Sequence, residues 1–310
     1  MYQEIINTAL LVLLIFIAGA LVIISAAYLK KNTNLFAELW RLYGIEVFIV
    51  AAVLIPAYFG GLFFLAILLL FNLRAHVEIA HLHGYDQKIV VITAGILLSS
   101  ILITTGFYVL PDNMSFVFLV ISAVLSGLTV SLVLLAWDEQ KYIPALLPMI
   151  IIMLSIYCLL RIRTMDNGFL LILFLYIITE TNDSFALVFG KLFGKRKLCP
   201  AISPNKTWEG MVSGVITAFV AGMAFAHYIL HMQISYAGMI IGLIIASAII
   251  GDLVFSIYKR VYKRKDFKTL IEGHGGILDI YDSVLISSPI FYILILITGL
   301  SYSLESTILP

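Results

Sequence analysis

The chain has 310 residues, 62% of them hydrophobic and only 12% charged, with a mean hydropathy of +1.08 and a formal net charge of +1. Soluble domains run nearer half apolar and a quarter charged, so this composition excludes an ordinary soluble protein and requires a bilayer as solvent. The near-neutral balance says little about partners; nucleic acid is not expected among them, and what matters is where the charges lie. The two cysteines, Cys158 and Cys199, stand in no metal or redox spacing.

In chain order, apolar runs long enough to span fall near 8–28, 44–58, 60–74, 89–108, 115–136, 143–160, 169–189, 210–231, 236–256 and 282–302. The first lacks a basic n-region and is about 20 residues long, so it reads as a span rather than a signal peptide. The second and third are short and share the Pro56…Gly60-Gly61 turn, as a tight hairpin would. The expected fold is an all-α, polytopic integral membrane protein with about ten transmembrane helices. We divide it into an N-terminal extra helix and linker (1–43), an N-terminal membrane region (44–160) and a C-terminal catalytic membrane region (161–310).

With the N-terminus placed outside, 17 of the 19 Lys and Arg residues fall in inside loops, and only Arg161 and Arg163 fall outside. That asymmetry is what the positive-inside rule expects. It puts the two largest polar loops, 190–209 and 257–281, in the cytoplasm, beneath what is expected to be a bacterial inner (plasma) membrane.

Two segments carry chemistry. In 180–210, Glu180 and Asp183 stand at i and i+3 and share a helix face. Acids at membrane depth are costly and mark a site or cavity, unless they lie at the hydrated headgroup level. Downstream, Ser203-Pro204 punctuates the chain, Thr207 and Glu209 can cap a helix start, and Lys206 can face a bound phosphate.

In 251–282, Asp252 interrupts an apolar run, and six Lys/Arg follow within residues 259–268 around Asp266. A basic juxtamembrane cluster is commonly held by anionic lipid, which is the reading we prefer for Lys263, Arg264 and Lys268. Gly273-His274-Gly275-Gly276 then lets backbone approach a ligand closely, with amides available to phosphate oxygens. Asp279 and Asp282 follow at i, i+3, a spacing that suits Mg2+ held by carboxylates plus substrate phosphates. Together these features describe a nucleoside triphosphate and Mg2+ site at the membrane surface. The other histidines, His76, His81, His83, His227 and His231, read as interfacial polar residues.

These residues resemble the phosphatidate cytidylyltransferases, or CDP-diacylglycerol synthases. The family's C-terminal pattern is matched by Ser256, Lys259-Arg260, Lys265-Asp266, His274-Gly275-Gly276, Asp279 and Asp282, and its Ser-Pro-x-Lys-Thr-x-Glu-Gly by Ser203 to Gly210. Asp183 with Phe189-Gly190 and Phe193-Gly194 resembles a further family segment. The likeness is continuous over roughly 160–300, and the span 8–28 looks like an addition. Two positions depart: Phe255 stands where the family has Glu, and Ile280 where it has Arg.

The resemblance implies transfer of a cytidylyl group from CTP to phosphatidic acid, giving CDP-diacylglycerol and pyrophosphate. It implies Asp252, Lys259, Asp266, His274, Asp279 and Asp282 as catalytic residues. Ser203, Lys206, Thr207, Ser256, Arg260, Lys265, Gly275 and Gly276 would bind substrate. Asp183, Asp252, Asp266, Asp279 and Asp282 would hold Mg2+. The partners implied are CTP, a lipid phosphate and membrane lipids, with a homodimer as a candidate assembly. Two rivals are a paralogue acting on another lipid phosphate and a catalytically inactive lipid-binding relative. A transporter is disfavoured, because the polar groups gather at one end instead of lining a pathway.

Overall fold

The computed structural model describes residues 2–30, 33–84, 143–270 and 275–300. The helices are α1 (Tyr2–Lys30), α2 (Thr33–Phe59), α3 (Gly61–Leu82), α4 (Ile143–Thr164), α5 (Gly168–Phe193), α6 (Trp208–Tyr228), α7 (Ile234–Val261) and α8 (Ile277–Thr298). Between α5 and α6 lies a two-stranded antiparallel ribbon, β1 (Lys197–Cys199) and β2 (Ser203–Thr207), pairing Lys197 with Thr207 and Cys199 with Ser203. The helical, polytopic expectation therefore stands, with one short ribbon added. Among the described residues seven helices, α2 to α8, are long and apolar enough to cross a membrane, and α1 is apolar over Val12–Ser25. That count falls short of about ten; the expected spans 89–108 and 115–136 lie outside the described residues, as does His274.

α2 and α3 are full-length helices rather than the short pair expected. Charged residues inside them, Glu38, Arg41 and Glu46 in α2 and Arg74 and Glu78 in α3, depress the local hydropathy without ending the helix. Two histidines expected at the interface are interior instead. His76 is buried against the Asn72 carbonyl at 2.8 Å, and His83 meets the Tyr258 hydroxyl at 2.6 Å.

α5 is the central helix. Every residue from Leu171 to Thr179 is buried, which in a membrane means covered by other helices, and α5 packs against α1, α2, α4, α6, α7 and α8. Its partner α6 approaches closely because Gly210 and Gly214 face the Ala186 and Asn182 carbonyls with no side chain between, the small-residue packing that holds helices together in lipid. Outward residues such as Phe48, Leu62 and Ile297 are large, apolar and exposed, as a lipid-facing surface requires. At the end of the bundle where α2 turns into α3, Arg163 of α4 donates to the Ala57 and Tyr58 carbonyls at 2.6 and 3.0 Å. At the opposite end the α3, α5 and α7 C-termini meet the ribbon and the α6 and α8 N-termini, and the polar residues collect there.

Candidate active site

The α5–ribbon–α6 segment is built by local capping. Thr207 is extended, and its hydroxyl accepts from the Gly210 amide at 3.2 Å, starting α6 at Trp208. Glu209 turns back instead to accept from the Lys195 and Arg196 amides at 3.0 and 3.2 Å, fixing the exit from α5. Thr207 caps the helix start as its sequence suggests, and Glu209 in the first turn also ties down the incoming chain. The ribbon projects Lys206 inward, where its ammonium pairs with Asp252 of α7. Burial holds the Lys206 pKa below the usual lysine range, opposed by the charges of Asp282 and Asp183.

Lys206 thus pairs with Asp252 of α7 and also feels the charges of Asp183 of α5 and Asp282 of α8, three acids from three helices. Asp183 lies ten residues before the end of α5 and Asp252 nine before the end of α7, each about 14 Å along its helix. Asp183 also accepts from the Asn182 side-chain amide at 2.9 Å, and Ser256 reaches Asp252 at 3.4 Å.

Asp279 is engaged differently. One oxygen accepts from the Phe267 and Gly276 amides at 2.9 and 2.8 Å, and the other pairs with Lys259, which is itself buried. Asp279 and Asp282 share one helix edge, as their spacing implies, but the first closes the α8 N-terminus while the second faces the acid cluster. Gly275 has a left-handed φ of +84°, and a Cβ on Gly276 would collide with the Glu78 carboxylate, so both glycines are demanded by backbone closure here.

The remaining assignments sort by position. Arg260 donates to the Ile202 carbonyl at 2.8 Å and to the Arg264 carbonyl at 2.6 Å, tying the end of α7 to the ribbon. Ser203 stands half-buried in the ribbon. Lys265 and Asp266 are exposed beyond the end of α7. The amides of Gly276, Ile277 and Leu278, which could have cradled phosphate, are already bonded to carboxylates.

Sequence reasoning missed the carboxylate responsible for two of those bonds. Glu78 of α3 is fully buried, paired with Arg74 at 2.9 Å, and accepts from Ile277 N at 2.8 Å and Leu278 N at 3.0 Å. Its signal in the sequence is an Arg and a Glu at i, i+4 in the polar second half of an apolar helix.

The donor set can be weighed against Mg2+. Asp183, Asp252, Asp279 and Asp282 outnumber the ammonium groups of Lys206 and Lys259, so the cluster has room for a cation. The acids facing Lys206 offer carboxylate oxygens, and the buried Asn182 Oδ1 beside Asp183 has no hydrogen-bond partner among the described residues. Among the described residues, no three His, Cys, Asp or Glu side chains are close enough to hold an ion unaided. The chemistry fits a hard cation completed by substrate oxygens, which is how Mg2+ is usually held.

Fold and site define a polytopic membrane protein with a charge-dense site at one end of its helix bundle. Residues 39–298 match the model of the cytidylyltransferase family, and the chain belongs to that family. It is 31% identical over 242 residues to a phosphatidate cytidylyltransferase of Staphylococcus saprophyticus, covering 67% of this chain and 93% of that protein. It is 40% identical over 130 residues to a phosphatidate cytidylyltransferase of Haemophilus influenzae, covering 40% of this chain and 45% of that one. A third relative, the uncharacterized protein YnbB of Escherichia coli, is 39% identical over 137 residues, covering 43% of this chain and 45% of that one. The chain spans about half the length of the latter two relatives. The family match begins at residue 39 and so takes in α2 and α3, well upstream of the motifs that carry the resemblance, while α1 precedes it.

Proposed function

We propose that this protein transfers a cytidylyl group from CTP to a phosphatidate-type lipid phosphate, forming CDP-diacylglycerol and pyrophosphate. The observation that carries this reading is the pairing of Lys206 with Asp252, with the charges of Asp183 and Asp282 acting on the same ammonium, towards one end of the bundle. Residues 190–209 and 257–281 then face the cytoplasm of a bacterial inner membrane, where CTP is found, in keeping with the 17-to-2 charge split.

In the reaction a phosphate oxygen of the lipid attacks the α-phosphorus of CTP. A new P–O–P bond forms, the α–β anhydride bond breaks, and pyrophosphate leaves with the electron pair. Both reactants are anions, so the protein must supply positive charge and in-line positioning. Lys206 is placed to neutralise phosphate between the acids. Lys259, braced by Asp279, keeps a second ammonium beside Asp282. Exposed Lys265 is suited to the distal phosphates, and Arg260 holds the ribbon that carries Lys206. Mg2+, where bound, would be held by one or two of the carboxylates Asp183, Asp252 and Asp282 together with phosphate oxygens, and would offset charge on the triphosphate.

The deciding experiment measures pyrophosphate release by the purified protein over a panel of nucleoside triphosphates and lipid phosphates, with and without Mg2+. Release dependent on CTP and phosphatidic acid is expected. Release only with another lipid phosphate would make this a paralogue, and silence across the panel would leave an inactive lipid-binding relative. Phe255 and Ile280 are the positions that favour those rivals.

A further inference from the structure

We infer that Glu78, held by Arg74, is a positioning residue for the reaction: it sets α8 in the register that places Asp282 among the site's charges. This rests on the transfer reaction proposed above. The α8 N-terminus leaves its first amides without helical partners, and a carboxylate there also complements the helix dipole. Glu78 supplies one from a helix two hundred residues away in sequence, binding the Ile277 and Leu278 amides at 2.8 and 3.0 Å. Arg74 holds that carboxylate at 2.9 Å and donates to the Lys268 carbonyl at 2.8 Å, so α3 grips both α8 and the segment leading into it.

Two bonds to consecutive amides fix both the height and the rotation of the first turn of α8. Asp279 and Asp282 ride on that turn. A shift of α8 by one bond length would part Asp279 from Lys259 and move Asp282 away from Lys206 and Asp183, whose charges it now faces. Gly276 is required beside Glu78 for the same reason, since a Cβ there meets the carboxylate. A carboxylate buried for solubility or lipid contact would have no reason to meet these two amides.

The test uses the full chain in detergent or nanodiscs, with Glu78→Ala and Glu78→Gln. Misplacement of a reacting group by about 1 Å costs on the order of 10²-fold. The expected result for Glu78→Ala is therefore a fall of about 10²-fold in kcat per folded molecule, with KM for CTP within about threefold. Glu78→Gln, which keeps an acceptor oxygen but brings a donor against the amides, is expected to fall between Ala and wild type. Hydrogen exchange at the Ile277 and Leu278 amides is expected to accelerate in both variants. Unchanged kcat per folded molecule, or losses that track the unfolded fraction alone, would overturn the inference. If the wild type releases no pyrophosphate with any substrate, the proposed reaction fails. The hold on α8 is then judged by exchange alone, and unaltered exchange at 277 and 278 overturns it.

Discussion

The Lys259 ammonium lies against one oxygen of Asp279, and the other oxygen of Asp279 holds the backbone amides of Phe267 and Gly276. Asp279 therefore braces the loop and helix that frame the site, while Asp282, one turn on, faces Lys206 and Asp183. The two aspartates are expected to respond differently to the same substitution. Asp279→Asn strips the charge that balances Lys259, whose side chain is 8% exposed, and breaking a buried pair costs about 3–5 kcal/mol. Asp282→Asn removes one of several crowded carboxyls, so the melting temperature is held, while turnover falls at least about 10²-fold. Thermal unfolding and pyrophosphate release on both variants check this; equal loss of stability would contradict it.

Phe255 is 1% exposed and meets the Phe267 ring edge-on at 6.4 Å, with Lys259 over that ring at 5.5 Å. Phe255→Glu would put a carboxylate one turn from Lys259, in competition with Asp279. Alone it is expected to lose stability and activity, and Ile280→Arg alone is expected to lose activity. The double variant recovers if the pair only braces the site, because breaking a buried pair is costly while exchanging both members for apolar residues is close to neutral. A double-mutant cycle on activity and unfolding reads the coupling; additive effects would mean that the family's Glu and Arg act separately.

Arg260 and Lys263 stand three residues apart in one charge cluster but differ in role. Arg260 forks onto two carbonyls, whereas Lys263 is exposed with a left-handed φ of +55°. Arg260→Lys keeps the charge and loses the fork, so activity is expected to fall by roughly tenfold, the scale of one lost hydrogen bond to a charged group. Lys263→Gln is expected to change activity by less than about threefold, as for a group that meets only anionic lipid. Equal losses would mean a general charge effect.

Orientation is testable by labelling single cysteines in intact cells, with Cys158 and Cys199 both replaced by Ser. Asp166→Cys, exposed in the α4–α5 turn, is expected to react with an impermeant reagent, and Lys195→Cys is expected to be shielded. The reverse pattern would invert the topology.

The hydropathy of the chain announced a membrane bundle, and the motifs located the acids of α5, α7 and α8, because both signals are local. What escaped was set by contacts distant in sequence. Arg74 and Glu78 made α3 look short when they were its link to α8. Asp279 and Asp282 looked like equivalent ligands because spacing reports a shared helix edge and not which residue sits at the helix start. Ser203–Thr207 looked like a loop because Pro204 and the polar run hide a strand that pairs with only one neighbour. The glycines before α8 suggested amides open to phosphate, whereas the Gly276 amide is taken by Asp279 and the next two, of Ile277 and Leu278, by Glu78.

That last feature bears on how the protein responds to ionic strength. A phosphate seated on backbone amides is fixed by geometry, but with the Gly276, Ile277 and Leu278 amides taken, the nucleotide of the proposed reaction would lean on lysine and arginine side chains, several of them on the surface. Attraction by exposed Lys263, Arg264 and Lys265 reaches only about 8–10 Å at ordinary salt and shrinks as salt rises. Lys206, enclosed by its acids, is much less screened. Rising salt should therefore slow the capture of CTP while leaving the reaction of bound nucleotide largely unchanged.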